Sequence, residues 1–277
     1  MLSLQQVATM DRFRLEDHCK RLAQPVYLGG HRALCRMLGR YKVYVDTTDQ
    51  GFGSNLLLDG FWEMWLTQFM ARFVEPGMTV VDVGANYGYY SVLLADLVGP
   101  EGLLHAVEPN PVAGRFLRDT LSLNGFDRRT TIHHLAAGAD DTAQATLAVA
   151  ATEPKNAHLI QGGDAVSDEF ALHSVAVRRL DSLLAGTERL DFIKIDAEGA
   201  EQDIFAGMQD CIGRWHPAIV MEFNAGRYAD PRGFLEQIVA PYGRLSHIDY
   251  GGHAEALSPE RVLTERPGED WLLFLNR

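Results

Sequence analysis

Four acids, Asp82, Glu108, Asp196 and Glu222, lie at or beside the carboxyl ends of apolar runs at residues 79–83, 103–107, 190–195 and 218–223. Carboxylates in that position can hold a sugar diol, balance a cationic group, or take a proton from a weak nucleophile. Between the first run and the next apolar stretch sits Gly84-Ala85-Asn86-Tyr87-Gly88. Glycine lets backbone approach a ligand with no Cβ in the way, and the helix predicted after it points unpaired N–H groups at whatever fills the turn. These residue types together describe a pocket for a nucleotide-like molecule.

The spacing narrows which one. A dinucleotide fingerprint reads G-x-G-x-x-G and needs its middle glycine where a pyrophosphate meets the backbone. This turn has two glycines and an acid, Asp82, two positions before the first. An acid there is unfavourable beside a pyrophosphate and well matched to a cationic amino-acid moiety, which favours S-adenosylmethionine with its ammonium and sulfonium. Glu108 follows Gly84 by 24 residues, in place to bond a ribose diol from the tip of a second strand.

The elements that must position these groups follow from periodicity. Residues 79–83, rich in β-branched side chains, read as a buried strand, residues 91–97 as a helix and 103–107 as a second strand, a right-handed parallel unit. Residues 111–123 read as a helix and 130–135 as a third strand ending at Ala136-Ala137-Gly138, small enough to admit an adenine face. Residues 190–195 and 218–224 supply a fourth and fifth strand, with a helix at 202–208. Residues 244–249 and 271–276 pair as an antiparallel edge. An extra strand is expected at 143–149 and another at 175–180, with Asp181 capping residues 182–184. The polar stretch 153–170 is read as a substrate lid. Upstream, residues 2–38 are expected to form one or two short helices broken near Pro25 and Gly29-Gly30, 41–46 a strand, 51–55 a turn-rich loop, and 61–73 an amphipathic helix at the pocket's edge. The division is an N-terminal helical and hairpin extension, 1–60, and a catalytic domain, 61–277.

With 277 residues and a net charge of −12 with no basic block, the chain suits one large domain and a small-molecule partner, and a nucleic-acid backbone is not expected. Cys19, Cys35 and Cys211 lack metal or disulfide spacing and point to a reducing compartment. No signal-type segment and no uninterrupted apolar stretch of about 18 residues is present, so a cytoplasmic location without a membrane span is expected.

Asp82-Val-Gly-Ala-Asn-Tyr-Gly, Glu108-Pro-Asn-Pro, Val177-Arg-Arg-Leu-Asp-Ser-Leu183, Ile193-Lys-Ile-Asp-Ala-Glu-Gly-Ala-Glu201 and Met221-Glu-Phe-Asn224 resemble, in content, order and spacing, the FkbM family of S-adenosylmethionine-dependent methyltransferases. The likeness runs from about Tyr41 to about Tyr242. It implies an α/β fold with a doubly wound, seven-stranded class I methyltransferase sheet, mostly parallel with an antiparallel C-terminal edge. It also implies methyl transfer to an oxygen of a sugar, glycolipid or polyketide-like metabolite, with S-adenosylhomocysteine as product. Residue by residue, it places Asp82, Gly84, Asn86 and Gly88 at the methionyl end of the cofactor and Glu108 on its ribose; Asn110, Ala137 and Asp196 are further candidates for cofactor contact.

A hydroxyl is a poor nucleophile until its proton leaves, which calls for a base beside the transferred methyl. Asp196 is the first candidate and Glu222 the second, with Glu198 and His158 from the polar stretch behind them. Glu201 suits a helix N-terminus. Of His133 and His134, which alternate on a strand, at most one faces the pocket. No His-rich or paired-Asp signature marks a metal site, and metal-independent turnover is expected. N-methylation is the nearest rival; a nicotinamide-dependent oxidoreductase and a non-catalytic binding module are the others. Trp62, Glu63 and Trp65, with the polar stretch 153–170, are placed around an acceptor whose identity, like the oligomeric state, stays open.

Overall fold

Ser3 and Gln6 start the chain with a reciprocal cap: Ser3 Oγ accepts the Gln6 N–H and the Gln6 side chain accepts the Ser3 N–H, opening α1 (Leu4–Thr9). Asp11 caps α2 (Arg12–Leu22) in one direction only, its Oδ1 accepting the Arg14 N–H at 3.1 Å. The computed structural model describes residues 1–150, 157–160, 170–266 and 268–277. Helix does not continue to residue 38 as expected. After Pro25 the chain forms β1 (Val26–Gly29), turns through Gly29 and Gly30 at φ +87° and +57°, and returns as β2 (Arg32–Met37), whose burial alternates as a half-buried strand's does. β3 (Tyr41–Asp46) completes an antiparallel three-stranded sheet.

The stretch expected as a turn-rich loop at 51–55 lies largely in α3 (Phe52–Asp59). Its glycines serve packing: Asp49 accepts the N–H groups of Gly51 and Gly53 at 3.0 and 2.9 Å, and a Cβ on Gly53 would stand 2.9 Å from that of Asp49. α4 (Met64–Phe73) starts later than expected because Glu63 takes a left-handed conformation at φ +34°.

The main sheet then begins. β4 (Thr79–Val83), α5 (Tyr89–Leu97), β5 (Leu103–Val107), α6 (Pro111–Leu123) and β6 (Thr130–His133) wind outward as parallel units. The third strand ends two residues earlier than expected. Ala136 and Ala137 form a separate strand, β7 (Ala136–Ala137), pairing in parallel with a strand of a second sheet built from β8 (Thr142–Ala150), β9 (His158–Leu159) and β10 (Phe170–Arg178), in the order β7-β10-β8-β9. The expected lid at 153–170 lies largely outside the described residues.

After α7 (Leu180–Leu183) the chain crosses back to the sheet centre as β11 (Phe192–Ile195), followed by α8 (Glu201–Ala206), α9 (Gln209–Trp215), β12 (Ala218–Phe223), α10 (Pro231–Val239), β13 (Ser246–Ile248), β14 (Ala254–Ala256), α11 (Pro259–Thr264) and β15 (Trp271–Leu275). Asp181 sits inside α7, so it does not cap that helix; its carboxylate accepts the N–H groups of Asp210 and Cys211 at the start of α9. The sheet order is β14-β13-β15-β12-β11-β4-β5-β6. It holds eight strands against the seven expected, the addition being the short edge strand β14, and β15 pairs antiparallel with both β12 and β13.

β4 is buried along its whole length, as a parallel strand covered on both faces must be. Val7, Leu15 and Val43 of the N-terminal elements share one apolar cluster with Val80, Leu93 and Leu117, so residues 1–60 and the sheet are packed on a common core. The opposite face packs Val81, Ile193, Ile204 and Phe234. The chain reverses its winding between β4 and β11, which opens a crevice at their carboxyl ends.

Candidate active site

The Gly84–Gly88 turn sits in that crevice, and its geometry forces its sequence. Gly84 holds φ +77°, and a Cβ there would lie 1.8 Å from the Asp196 carbonyl oxygen. Gly88, at φ +94°, opens α5 where a Cβ would press on Leu117 at 2.9 Å. Asn86 is also left-handed, at φ +51°. The turn's N–H groups are largely spent inside the protein. Gly84 and Ala85 donate to the Val107 carbonyl at 3.0 and 3.1 Å, Gly88 donates to Ala85 at 2.9 Å, and Asn86 donates to Glu108 Oε2 at 2.7 Å.

Glu108 accepts a second backbone N–H, from Asn110, on Oε1 at 2.8 Å. It is 6% exposed and lines the cleft. Burial pushes its carboxyl up to about 7, against the two N–H groups, which favour the ionised form. Asn110 does not reach the cleft wall: its Oδ1 caps α6 through Val112 and Ala113.

Asp82 is fully buried beneath the wall and absent from it. Ser91 donates to its Oδ2 at 2.6 Å, and Lys194 Nζ stands 3.5 Å from its Oδ1, which accepts no hydrogen bond. The same ammonium lies 3.3 Å from Asp196 Oδ2 and 5.0 Å from the centre of the Tyr90 ring. Tyr90 donates to Glu63 at 2.6 Å. Burial alone would push Lys194 toward neutrality; Asp196, Asp82 and Glu63 outweigh it and hold the proton more tightly than on an ordinary lysine.

Asp196 and Glu222 both line the cleft. Burial pushes the Glu222 carboxyl up to about 8, the charge of Asp196 adds to the rise, and Arg227 opposes it. Arg227 binds Glu222 directly, with Glu198 at 3.3 Å and Asp270 at 3.4 Å on its other nitrogen. Glu201 is buried and holds the loop after β11: it accepts the N–H groups of Ala197 at 3.0 Å and Gly199 at 3.0 Å, and the Tyr228 hydroxyl at 2.8 Å. His158 lines the cleft, its ring edge-on to Phe170. His133 stacks on His105 and His134 meets Arg118, and neither lines the cleft.

The structure therefore brings Gly84, Asn86, Glu108, Ala137, His158, Asp196 and Glu222 to one cleft, and places Asp82, Gly88 and Asn110 behind it. Lys194, Tyr90, Glu63 and Phe52 were not singled out as a unit by sequence reasoning. A lysine amid Phe192-Ile193 and Ile195 was the available signal, since a buried ammonium requires partners; in register it lies opposite Asp82. Among the cleft's described lining residues are five carboxylates (Glu63, Glu108, Asp196, Glu198 and Glu222) and one lysine. Among the described residues no group of three or more His, Cys, Asp or Glu is arranged to hold a metal, and no helix is long and apolar enough to cross a membrane.

A doubly wound sheet with an acid-lined cleft at its switch point is built to bind a nucleotide-like molecule carrying positive charge. The Methyltransferase FkbM domain profile matches residues 82–246, more than half of the chain, and the chain belongs to the FkbM family of S-adenosylmethionine-dependent methyltransferases. It is 38% identical to the protein-L-isoaspartate O-methyltransferase of Methanothermobacter thermautotrophicus over 60 residues, 22% of this chain and 28% of that protein. It is 27% identical to the AMB antimetabolite synthetase AmbE of Pseudomonas aeruginosa over 185 residues, 56% of this chain and 9% of that protein. The chain thus spans less than a third of the length of these relatives. Of solved structures, it is similar to the methyltransferase FkbM from Methylobacillus flagellatus, at 17% identity and a TM-score of 0.46, over 76% of this chain and 53% of that one.

Proposed function

We propose that the chain methylates a hydroxyl oxygen of a sugar, glycolipid or polyketide-like acceptor, using S-adenosylmethionine held in the cleft. The observation that carries this reading is the cleft's acidic lining: five acids, two of them with raised proton affinity, face one lysine, while four of the glycine turn's N–H groups are already bonded. A pyrophosphate would meet Lys194 as its one basic lining residue against several acids, whereas an ammonium and a sulfonium would find acceptors. Bound there, S-adenosylmethionine supplies a methyl on a positively charged sulfur, activated for in-line displacement. Glu108, with both oxygens fixed by backbone N–H groups, is set to accept from the ribose hydroxyls. Ala136, Ala137 and Val107 offer small apolar surface to the adenine.

The residues' remaining tasks are alignment and proton removal. The acceptor's O–H proton passes to a rim carboxylate as the O–C bond forms and the C–S bond breaks, leaving neutral S-adenosylhomocysteine. Glu222, whose carboxyl burial raises to about 8, takes the base role here, ahead of Asp196, the first candidate from sequence. Asp196 is left to balance the cofactor's charge, and His158, which also lines the cleft, is available to the acceptor. The nicotinamide reading lacks the middle glycine of a dinucleotide turn, and four of this turn's N–H groups are already bonded inside the protein.

N-methylation is a second reading, favoured by the acidic rim of Asp196, Glu198 and Glu222, which would also hold an ammonium acceptor. Titration calorimetry tests the assignment of cofactor: S-adenosylhomocysteine is expected to bind and NADH to give no heat, and the reverse would replace this function with a redox one. The linkage in the product, read by NMR of a methyl-labelled acceptor, separates oxygen from nitrogen.

A further inference from the structure

The strand β11 carries a charge where its neighbours Ile193 and Ile195 are apolar and buried. Lys194 is 2% exposed and is the buried lysine among the described residues. Buried charges of this kind persist only with partners, and Lys194 has them on several elements: Asp82 on β4, Asp196 just past β11, the Tyr90 ring on α5, and Glu63 ahead of α4. The partners differ in exposure. Asp82 is sealed, while the side chain of Asp196 is 33% exposed and stands on the cleft wall. One ammonium thus ties a carboxylate with no access to ligand to one that has it.

Resting on the methyltransferase reading of the cleft, we propose that Lys194 is a positioning residue whose ammonium, anchored on Asp82, fixes the orientation of the Asp196 carboxylate toward the cofactor's positive end. An ammonium has three donors and no acceptor, and its long stem is immobilised here by packing. Asp82 supplies the anchor: with Oδ2 taken by Ser91, its Oδ1 leans on Lys194 alone. The Tyr90 ring closes the cationic face. Asp196 therefore presents a defined oxygen to the cleft, and Asp82, two residues before the glycine turn, acts on the ligand through Lys194.

The experiment separates this role from simple neutralisation of Asp82. Lys194→Met alone leaves Asp82 buried without its cation and is expected to melt early. The double variant Asp82→Asn with Lys194→Met removes both charges and is expected to melt close to wild type while binding S-adenosylhomocysteine at least about tenfold more weakly by calorimetry, with the acidic limb of the kcat/KM profile moved to higher pH. Wild-type affinity and an unmoved limb in a stable double variant would reduce Lys194 to a counter-ion and overturn the proposal. A measurement on the wild-type chain decides the matter if the double variant does not fold. The ¹⁵Nζ resonance of Lys194, protected from water, is expected to shift on addition of S-adenosylhomocysteine, and a resonance indifferent to saturating ligand overturns the proposal. Wild-type protein that binds no S-adenosylhomocysteine at all is a distinct result, which removes the methyltransferase reading itself.

Discussion

Glu108 accepts the backbone N–H of Asn86 at 2.7 Å on one oxygen and that of Asn110 at 2.8 Å on the other, joining the turn after β4 to the turn after β5 through a single carboxylate. Glu108→Gln keeps the shape but points an amide NH₂ at one of two N–H donors. The variant is expected to lose roughly 1–3 kcal/mol of stability by urea denaturation and at least about tenfold in affinity for S-adenosylhomocysteine. Retained affinity would show that the carboxylate serves only the turns.

The same residue, with Glu222, sets a pH dependence. Both carboxyls are held above the value of 4.5 expected in an unfolded chain, Glu108 at about 7 and Glu222 at about 8, mainly by burial. The folded state therefore keeps protons that the unfolded chain has released. Their stabilising contribution is complete below about 4.5 and is lost as pH rises through about 7 and then about 8. Between pH 6 and pH 8.5 the melting temperature is expected to fall by roughly 6–10 °C, and by less in Glu222→Gln. A flat or rising profile over that window would contradict the assignment. Activity moves the other way, since Glu222 must be ionised to accept a proton: kcat is expected to rise through about pH 8.

Gly84→Ala asks for a Cβ 1.8 Å from the Asp196 carbonyl at φ +77°. Relief requires moving β4 or β11 at the sheet centre. A loss of at least about 3 kcal/mol is expected, seen as insoluble expression or a collapsed melting temperature. A well-folded variant would mean that the two strands can separate here.

Glu201 holds Ala197 and Gly199 and is held by Tyr228. Tyr228→Phe removes one hydroxyl bond and is expected to cost about 1 kcal/mol with little change in KM. Glu201→Ala strands the loop's N–H groups and is expected to cost roughly 2–4 kcal/mol and to raise KM for the cofactor, because Asp196 and Glu198 flank the freed segment. Equal KM values in the two variants would uncouple the loop from binding.

Turnover is expected to persist in excess chelator. Activity lost to EDTA and restored by Mg²⁺ would transfer the acidic rim from proton transfer to metal binding.

The parallel core was legible in the sequence because strands buried on both faces read as unbroken apolar runs, and glycines at left-handed turns mark the points between them. Residues 79–83, 103–107 and 218–223 appear in the sheet as those runs predict. The N-terminal strands and α3 were less legible, since short half-exposed elements are decided by what covers them; Gly51 and Gly53 signal a turn locally, yet Asp49 recruits both into a helix start. The sequence by itself determined which residue types could meet at the strand ends, because sheet topology carries every parallel strand's carboxyl end to one rim. Only the tertiary structure decided which of them face a ligand. Asp82 and Asp196 look alike along the chain, but Lys194 lies between them: the buried carboxylate is spent on its ammonium, and the other is turned to the cleft.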